Sequence, residues 1–564
     1  MPALILACCL LAQSASRDLH DLERTLRTAT DPAGWEAARD ARKDLAARTG
    51  PAAMDLRVEL YERFFRSYRG VYLRDDLYAG MLGATTLAET AVLADAALDR
   101  RHGAFLRELC LHALSSCPAP VPAKPLLDPH WRTATGALGR AWQDALGKCA
   151  AEARLHAASA DAAELADRAR ALLVRGRTAP FGLAWFADLD GAELQALAQA
   201  AQAAPDPHDR ALALRRLPET AAHRATLLGA LADPHPAPLA AALDRVLAIP
   251  LREAAPVLID MLRHAATQPG PRCAGDLAAA LRELTGQQMG AAAGPWEQWW
   301  AARGRDWLAA GVQPPTRAPS ASAEPDATVA RLFELPVDSL RVAVLVDGSG
   351  SMRHTEIGGR PASLAAADEL ARYLEALPAE ARFDCWLVTA EPQPVFGALV
   401  APRRGNRERA LQRIRKHDFV GTSALADALL AAQEVEGVDT LVLISDGGSS
   451  AGRHHRPEFL LQAARRAHER TGVRIHCIGV APRPRNQRFL EQLAALTGGR
   501  MVLAAAAAAP QQAADGDEMD ERRRSVSGTP PSSQDRATRP GPWNYHQKPM
   551  ASISASRLSS SLAR

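Results

Sequence analysis

Two apolar runs that each end at an aspartate constrain the fold of this 564-residue chain more than any other feature. The first run covers residues 342–346 and leads into Asp347, and the second covers residues 441–444 and leads through Ser445 into Asp446. In open parallel sheets, ligand-binding side chains gather beyond the carboxyl ends of the strands. We therefore expect both aspartates to lie at one edge of a parallel sheet.

The region around these runs alternates strand-like and helical patterns. Strand-like runs cover residues 341–346, 382–389, 440–445, 473–480 and 500–504, with a shorter one near 395–400. Helical runs cover residues 362–377, 405–416, 423–435, 457–470 and 486–497. Such alternation predicts an α/β domain at 330–505, built as a doubly wound, mostly parallel sheet with helices on both faces.

Hydroxyl side chains follow the first aspartate at alternate positions. Ser349 and Ser351 are spaced so that they face the same way as Asp347 in an extended or looping segment. Gly348 and Gly350 lie between them and permit the sharp turn that this arrangement needs. The spacing predicts that three oxygen donors point to one place.

Two further donors come from other segments of the chain. Thr422 follows Gly421 at the start of a helical pattern, and Asp446 ends the second apolar run. The complete candidate set is Asp347, Ser349, Ser351, Thr422 and Asp446. An all-oxygen set of two carboxylates and three hydroxyls favours Mg²⁺, or Mn²⁺ or Ca²⁺, over zinc or copper.

Residues 341–505 resemble the von Willebrand factor type A domain. The motifs that carry the resemblance are Asp347-Gly348-Ser349-Gly350-Ser351, Gly421-Thr422 and Ser445-Asp446-Gly447. The resemblance implies a complete metal-ion-dependent adhesion site. It also implies that Ser349, Ser351 and Thr422 bind the ion directly and that one or both aspartates act through water.

This site favours a binding function over catalysis. An open position on the ion is suited to an acidic group of a protein partner, and the motif supplies no base or nucleophile for hydrolysis. We therefore expect a metal-dependent adhesion or scaffold protein and no enzyme activity. The alternative is an intracellular subunit that assists a ring ATPase in complex assembly or metal insertion, as some type A domains do.

The first half of the chain reads as helix. Residues 17–160 are rich in Ala, Leu, Arg and Glu, which are good helix formers. Between 161 and 310, similar helical segments recur at 213–217, 242–246 and 280–284. This pattern resembles HEAT-type repeats and predicts a partly solenoid-like all-α half, with an irregular helical bundle as the alternative.

The two ends of the chain and the segment between its halves show distinct composition patterns. Residues 1–16 contain a short apolar run and small residues typical of a cleaved signal peptide, so we expect export, with a lipid anchor possible at Cys8. A cytoplasmic protein with a buried N-terminal helix is the alternative. Residues 311–329 predict a Pro/Ala/Ser-rich linker, and residues 506–564 predict a disordered tail.

Net charge, aromatic content and the remaining cysteine and histidine residues are less informative about function. The formal net charge is +3 and aromatic residues make up 5% of the chain, so we expect no nucleic acid partner. No apolar segment beyond the first residues is long enough to span a membrane. Cys385 and Cys477 lie in strand-like runs and are expected to be buried free thiols. His454 and His455 are expected in a solvated loop after Asp446.

Overall fold

The computed structural model describes residues 19–28, 32–64, 71–134, 136–155, 203–216, 221–249, 251–267, 273–310 and 330–504. The predicted signal peptide at 1–16, the predicted linker at 311–329 and the predicted tail at 506–564 lie outside these ranges. Parts of both predicted helical regions, including residues 156–202, also lie outside them.

Residues 19–155 form the first group of helices. After helical residues 19–28, the helices are α1 (Pro32–Ala47), α2 (Pro51–Phe64), α3 (Val71–Leu82), α4 (Leu87–Leu98), α5 (Ala104–Ser116), α6 (Ala123–Leu126) and α7 (Gly136–Leu155). A 3₁₀ turn at Pro129–Thr133 precedes α7. Helix α4 begins with a capping box, in which Thr86 and Glu89 satisfy each other's backbone amides.

Residues 203–310 form the second group. Its helices are α8 (Pro207–Arg216), α9 (Ala221–Ala230), α10 (Pro236–Ala248), α11 (Ala254–Thr267), α12 (Cys273–Thr285), α13 (Ala293–Trp299) and α14 (Arg305–Ala309), with a π-helical turn at Trp300–Gly304 between the last two. Trp296 is fully buried in the core of this group, which seals its end. The helical character of the first half is confirmed, whereas its HEAT-type nature stays a prediction.

The remainder is an α/β domain. Its strands are β1 (Arg331–Leu332), β2 (Leu335–Pro336), β3 (Arg341–Asp347), β4 (Glu356–Ile357), β5 (Arg360–Pro361), β6 (Arg382–Val388), β7 (Gln393–Pro394), β8 (Thr440–Ser445), β9 (Arg474–Gly479) and β10 (Met501–Leu503). Its helices are α15 (Ser351–His354), α16 (Ala362–Ala376), α17 (Arg404–Arg415), α18 (Leu425–Gln433), α19 (Pro457–Thr471) and α20 (Pro484–Leu496).

The main sheet has the order β10-β9-β8-β3-β6-β7, and only β7 runs antiparallel to its neighbour. Successive residues of β3 point to opposite faces: Val344 joins a core with α16, while Leu345 joins a core with α18 and α20. Helices therefore cover both faces of a mostly parallel sheet, which confirms the predicted fold class. The small pairs β1–β2 and β4–β5 stand apart from this sheet.

The helical groups also touch the α/β domain directly. Arg474 at the start of β9 forms an ion pair with Asp276 of α12. Gly472, which ends α19, lies so close to α10 that a Cβ atom there would be 2.9 Å from Ala240 Cβ. Phe459 of α19 belongs to the same buried cluster as Tyr78 of α3. The two parts are therefore joined by packed side chains as well as by the predicted linker.

None of the helices in the described ranges combines the length and the apolar character that a bilayer-spanning helix needs.

Candidate functional site

The candidate residues lie on loops near the point where the strand order reverses. From β3 the chain moves to β6 on one side of β3 and later returns to β8 on the other side. Ligand sites of open α/β sheets lie at such switch points. Asp347 is the last residue of β3, and Asp446 follows β8 directly. Because Val346 pairs with Ile444 in parallel register, both aspartates leave the same edge of the sheet.

The loop after β3 folds back on the Asp347 carboxylate. The Ser349 amide donates to Asp347 Oδ1 at 2.9 Å, and the Ser445 hydroxyl donates to Asp347 Oδ2 at 2.6 Å. The hydroxyl oxygens of Ser349 and Ser351 lie 2.9 Å apart. The predicted convergence of Asp347, Ser349 and Ser351 is therefore present in the structure.

Gly348 is required at its position by close packing. A Cβ atom there would lie 2.9 Å from His417 Nε2 and 3.0 Å from Thr389 Cγ2. Its amide donates to the Val388 carbonyl at 3.0 Å, and its own carbonyl lies 3.0 Å from His417 Nε2. The turn after β3 is thus fixed by β6 and by the segment that leads to Thr422.

Thr422 lies on a loop whose backbone contacts the loop that carries Ser349 and Ser351. The amide of Gly350 donates to the carbonyl of Gly421 at 3.4 Å, and Gly421 adopts a φ of +90°, which favours glycine. Thr422 itself is partly exposed. The next residue, Ser423, is buried and donates its hydroxyl to the Gly448 carbonyl at 3.0 Å. The Thr422 loop is therefore held between the loops that follow β3 and β8.

Hydrogen bonds hold both the side chain and the backbone carbonyl of Asp446. Its Oδ1 accepts from the Gly448 amide at 2.8 Å, and its carbonyl accepts from Asn486 Nδ2 at 3.1 Å. Gly447 has a φ of +76°, and its amide donates to the Ser445 hydroxyl at 2.9 Å. This leaves the Asp446 side chain partly exposed at the sheet edge.

The electrostatics of the site are dominated by the buried carboxylate of Asp347. Burial, with a smaller contribution from the charge of Asp446, raises the pKa of Asp347 to about 6, although hydrogen bonds from Ser445 and Ser349 act in the opposite direction. The fully buried Asp347 carboxylate is costly to hold in the charged form. A divalent ion beside it would favour that form.

The donor spacing also fits such an ion. Adjacent ligands of an octahedral Mg²⁺ at about 2.0–2.1 Å lie about 3 Å apart. The Ser349 and Ser351 hydroxyl oxygens, at 2.9 Å, match that separation. Hydroxyl and carboxylate oxygens are the ligands that hard cations prefer. The residues present therefore fit Mg²⁺ or a similar ion.

Sequence reasoning quoted Ser445 only as part of a motif, without a role, and missed His417 altogether. Ser445 joins Asp347 to Gly447, and His417 fixes the Gly348 carbonyl. A serine directly before an aspartate at a strand end was the available signal for Ser445. His417 carried none, because it is 69 residues from Gly348 in the chain. Asp384 is a structural residue whose carboxylate accepts from the Phe396 and Gly397 amides, each at 3.1 Å.

The expectation of a solvated loop at His454 and His455 was wrong. His454 is buried, and its ring lies 5.4 Å from the Tyr78 ring in a stacked arrangement. His454 Nδ1 and His455 Nδ1 lie 3.3 and 2.7 Å from the buried carboxylate of Asp75 in α3. A distant acidic residue of the helical half, invisible to local pattern analysis, accounts for this burial.

The fold and the polar loops at its switch point define a doubly wound α/β domain of the ligand-binding kind. Residues 340–503 match the family model described as the von Willebrand factor type A domain. This part of the chain is therefore a type A-like domain, as the sequence resemblance predicts. No curated protein matches the chain significantly.

Several solved structures are similar to parts of this chain. A von Willebrand factor type A protein from Catenulispora acidiphila matches with 21% identity over 29% of this chain and 38% of its own length, with a TM-score of 0.24. The chain thus spans well under two thirds of that protein. An aerotolerance-related membrane protein from Bacteroides fragilis matches with 16% identity over 29% of this chain and 90% of its own, with a TM-score of 0.23. The RO (RSR) protein of Deinococcus radiodurans matches with 18% identity over 82% and 84% of the two chains, with a TM-score of 0.19.

Proposed function

We propose that the α/β domain binds a divalent cation, Mg²⁺ first of all, and uses it to hold an acidic group of a protein partner. The ligands are Asp347, Ser349, Ser351, Thr422 and Asp446. The observation that carries the proposal is the pair of serine hydroxyls 2.9 Å apart, directly beside the buried Asp347 carboxylate. A domain of this type generally mediates protein interactions, which agrees with a binding role.

The ligand chemistry explains why the ion would remain attractive to a partner. Two carboxylates balance the charge of a divalent ion, and neutral hydroxyls complete much of its shell. When bound, the ion supplies a positive centre to which a carboxylate of a partner can coordinate. Ser349, Ser351 and Thr422 are the proposed direct ligands, while Asp347 and Asp446 orient water and neutralise charge. We assign no catalytic role to the domain.

Metal binding is tested by calorimetric titration of the full chain with Mg²⁺ and with Mn²⁺. Thr422→Val keeps the side-chain shape and removes the hydroxyl. Since even outer partners of metal ligands contribute about 10-fold or more to affinity, we expect Thr422→Val to weaken binding by at least about 10-fold. Thr133→Val, at an exposed threonine of the helical half, is the matched control and should bind like the wild type. Equal binding by Thr422→Val and wild type, or no binding by the wild type, would refute the site.

The acidic partner group is tested with two small peptides. The full chain is loaded with Mn²⁺, and the longitudinal relaxation rate of water protons is followed during titration with Gly-Asp-Gly or Gly-Asn-Gly, both N-acetylated and C-amidated so that the aspartate side chain supplies the one carboxylate. A carboxylate that takes a coordination position displaces water from the ion, so the aspartate peptide should lower the relaxation rate and the asparagine peptide should not. Identical curves for the two peptides would argue against carboxylate capture.

A further inference from the structure

A buried carboxylate of the helical half holds the loop that follows Asp446. Asp75 of α3 is fully buried. Its Oδ2 accepts from the backbone amides of His455 and Arg456 at 2.9 and 2.7 Å, and its Oδ1 accepts from His454 Nδ1 at 3.3 Å. One side chain thus binds three consecutive residues of another domain, at a point 379 residues further along the chain.

The charge state of Asp75 suits this role. Burial alone would raise the pKa of the carboxyl, but hydrogen bonds and charge interactions with the His454 and His455 rings hold it below its ordinary value. The carboxylate is therefore charged near neutral pH and binds the two backbone amides more strongly than a neutral acceptor would.

Other residues of α2 and α3 also contact the segment that follows Asp446. Asp76 forms ion pairs with Arg456 and with Arg42 of α1. The Arg74 guanidinium donates to the Gly452 carbonyl, and the Tyr61 hydroxyl donates to the Arg453 carbonyl at 3.4 Å. We call residues 447–456 the docking loop. Its second half rests on α2 and α3 through both backbone and side-chain contacts.

The first half of the docking loop supports two of the proposed ligands. The Gly448 amide donates to Asp446 Oδ1 at 2.8 Å. The Ser450 and Ala451 amides both donate to the carbonyl of Ser423, at 2.9 and 3.0 Å. Since Ser423 follows Thr422 directly, the docking loop contacts the backbone that carries Thr422 as well as the Asp446 carboxylate.

The two halves of the docking loop are tied together. The Ser449 hydroxyl donates to the His454 carbonyl at 3.0 Å. Asp427 of α18 accepts from the Arg453 amide at 2.8 Å and from Arg453 Nε at 2.6 Å. The Ser449 hydroxyl therefore connects His454 to the part of the loop that bonds Ser423 and Asp446.

We infer that Asp75 is a positioning residue of the metal site, through which the helical half sets the metal affinity of the α/β domain. This inference rests on the proposed metal-binding function. The path runs from Asp75 through the docking loop to Asp446 and Thr422. Because coupling between two sites is reciprocal, a metal bound at Asp446 and Thr422 also tightens the contact between Asp75 and the docking loop.

Two variants at Asp75 and a matched control test the coupling. Asp75→Asn keeps an acceptor oxygen but loses the charge, and Asp75→Ala removes both. Asp55 lies exposed on α2, so Asp55→Asn and Asp55→Ala make the same chemical changes away from the docking loop. All are made in the full chain, and circular dichroism establishes that each is folded.

Mg²⁺ affinity by calorimetry is the first measurement. We expect Asp75→Ala to weaken binding about 10-fold, at the low end of the effect of residues that orient metal ligands. Asp75→Asn should fall between Asp75→Ala and wild type, and both Asp55 variants should match wild type. A wild-type Mg²⁺ affinity in the folded Asp75 variants would overturn the inference.

Amide hydrogen exchange is the second measurement and does not depend on an observed affinity. In the wild type, Mg²⁺ should slow exchange at His455 and Arg456, which a merely structural Asp75 would not cause. In Asp75→Asn, exchange should be faster at Ser450 and Ala451 as well as at His455 and Arg456. If wild-type protein binds no metal but these four amides still respond to Asp75→Asn, the proposed function fails while the mechanical link stands. If the amides of Ser450 and Ala451 do not respond to either Asp75 variant, the link itself is wrong.

Discussion

A fully buried carboxylate such as Asp347 is stable only where donors or a cation face it. Two donors are supplied by the Ser349 amide and the Ser445 hydroxyl. Ser445 also accepts from Gly447, so one hydroxyl orients a proposed ligand and the turn after β8 together. At this scale the buried part of the site is a network that links Asp347, Ser349, Ser445 and Gly447 by hydrogen bonds.

The contribution of Ser445 is testable by Ser445→Ala. The variant leaves an Asp347 oxygen and the Gly447 amide without their partner, which costs about 1–3 kcal/mol for a buried polar group. We expect a loss of that size in the free energy of unfolding, measured by urea denaturation without metal. Ser115→Ala is the control, because its hydroxyl only bonds the His112 carbonyl within one helix. A loss no larger than the control's would contradict the network.

The hydrogen bonds of Glu89 predict that the helical half is sensitive to acid. Its carboxylate accepts from the Gly50, Thr85 and Thr86 amides at 2.6, 2.9 and 3.0 Å. Burial opposes ionisation, but these hydrogen bonds prevail and lower the pKa of Glu89 to about 2. Because the pKa of Glu89 is lower in the folded state, its carboxylate stabilises the folded protein at pH values above the ordinary pKa of 4.5. That stabilisation is lost as the pH falls toward 2.

We therefore expect Glu89→Gln to lower the free energy of unfolding at pH 7 by about 1–3 kcal/mol. The difference from wild type should shrink as the pH is lowered from about 4.5 toward the depressed pKa, because the wild-type carboxylate becomes protonated. Urea denaturation at several pH values gives both quantities. A difference that stays constant with pH would show that the charge of Glu89 is not what stabilises this region.

At the residue scale, the sequence was informative for side chains that belong to a short motif or follow a strand, and silent for the distant residues that support them. Asp347, Ser349 and Ser351 share one short motif, so their convergence was predictable. The partners His417 and Asp75 come from segments 69 and 379 residues away, and no local pattern marks them. The burial of His454 was mispredicted for the same reason, since its acidic partner lies in the other half of the chain.

At the scale of elements, the turn between β3 and α15 depends on close approach of three segments. Gly348→Ala would place a methyl group against His417 and Thr389. We expect a loss of about 1–3 kcal/mol in the free energy of unfolding from this overpacking, together with weaker Mg²⁺ binding.

Gly405→Ala is the control for this prediction. Gly405 lies in the first turn of α17, and a Cβ atom there has no neighbour within 4 Å. Thermal unfolding and calorimetric titration of both variants decide the question. If Gly348→Ala behaves like Gly405→Ala in both measurements, the tight turn does not shape the site.

Long elements of the α/β domain were predicted almost residue by residue, and short ones were not. The apolar runs at β3, β6, β8 and β9 are continuous because helices cover both faces of the sheet. The two-residue strands of the β1–β2 and β4–β5 pairs are too short to show a period, so nothing in the sequence indicated them. The strand expected near 395–400 forms earlier, at β7, and Val400 adds only an isolated bridge to Phe383.

At the scale of the whole molecule, the helical half and the α/β domain share an interface. The composition of residues 311–329 predicts a tether, and the described residues add packed contacts between α10 and α19 and between Asp276 and Arg474. Composition alone could not reveal this interface, because ion pairs between distant helices leave no periodic signal.

Substitutions at two glycines in the left-handed conformation can distinguish the effect of interface packing from the effect of backbone strain. Gly472 and Gly498 have φ values of +66° and +70°, so alanine is strained at both. Only at position 472 would the new Cβ atom also meet the helical half, 2.9 Å from Ala240 Cβ. We expect Gly472→Ala to lower the melting temperature more than Gly498→Ala in differential scanning calorimetry. Equal shifts would mean that the contact with α10 contributes little to stability.

The central claim is a cation held by hydroxyl and carboxylate oxygens at the junction of β3 and β8. Crystallisation of the full chain with saturating Mn²⁺, followed by an anomalous difference map, tests it most directly. The account predicts a peak at bonding distance from the hydroxyl oxygens of Ser349 and Ser351, with Thr422, Asp347 and Asp446 around it. A map with no peak between these side chains at saturating Mn²⁺ would contradict it.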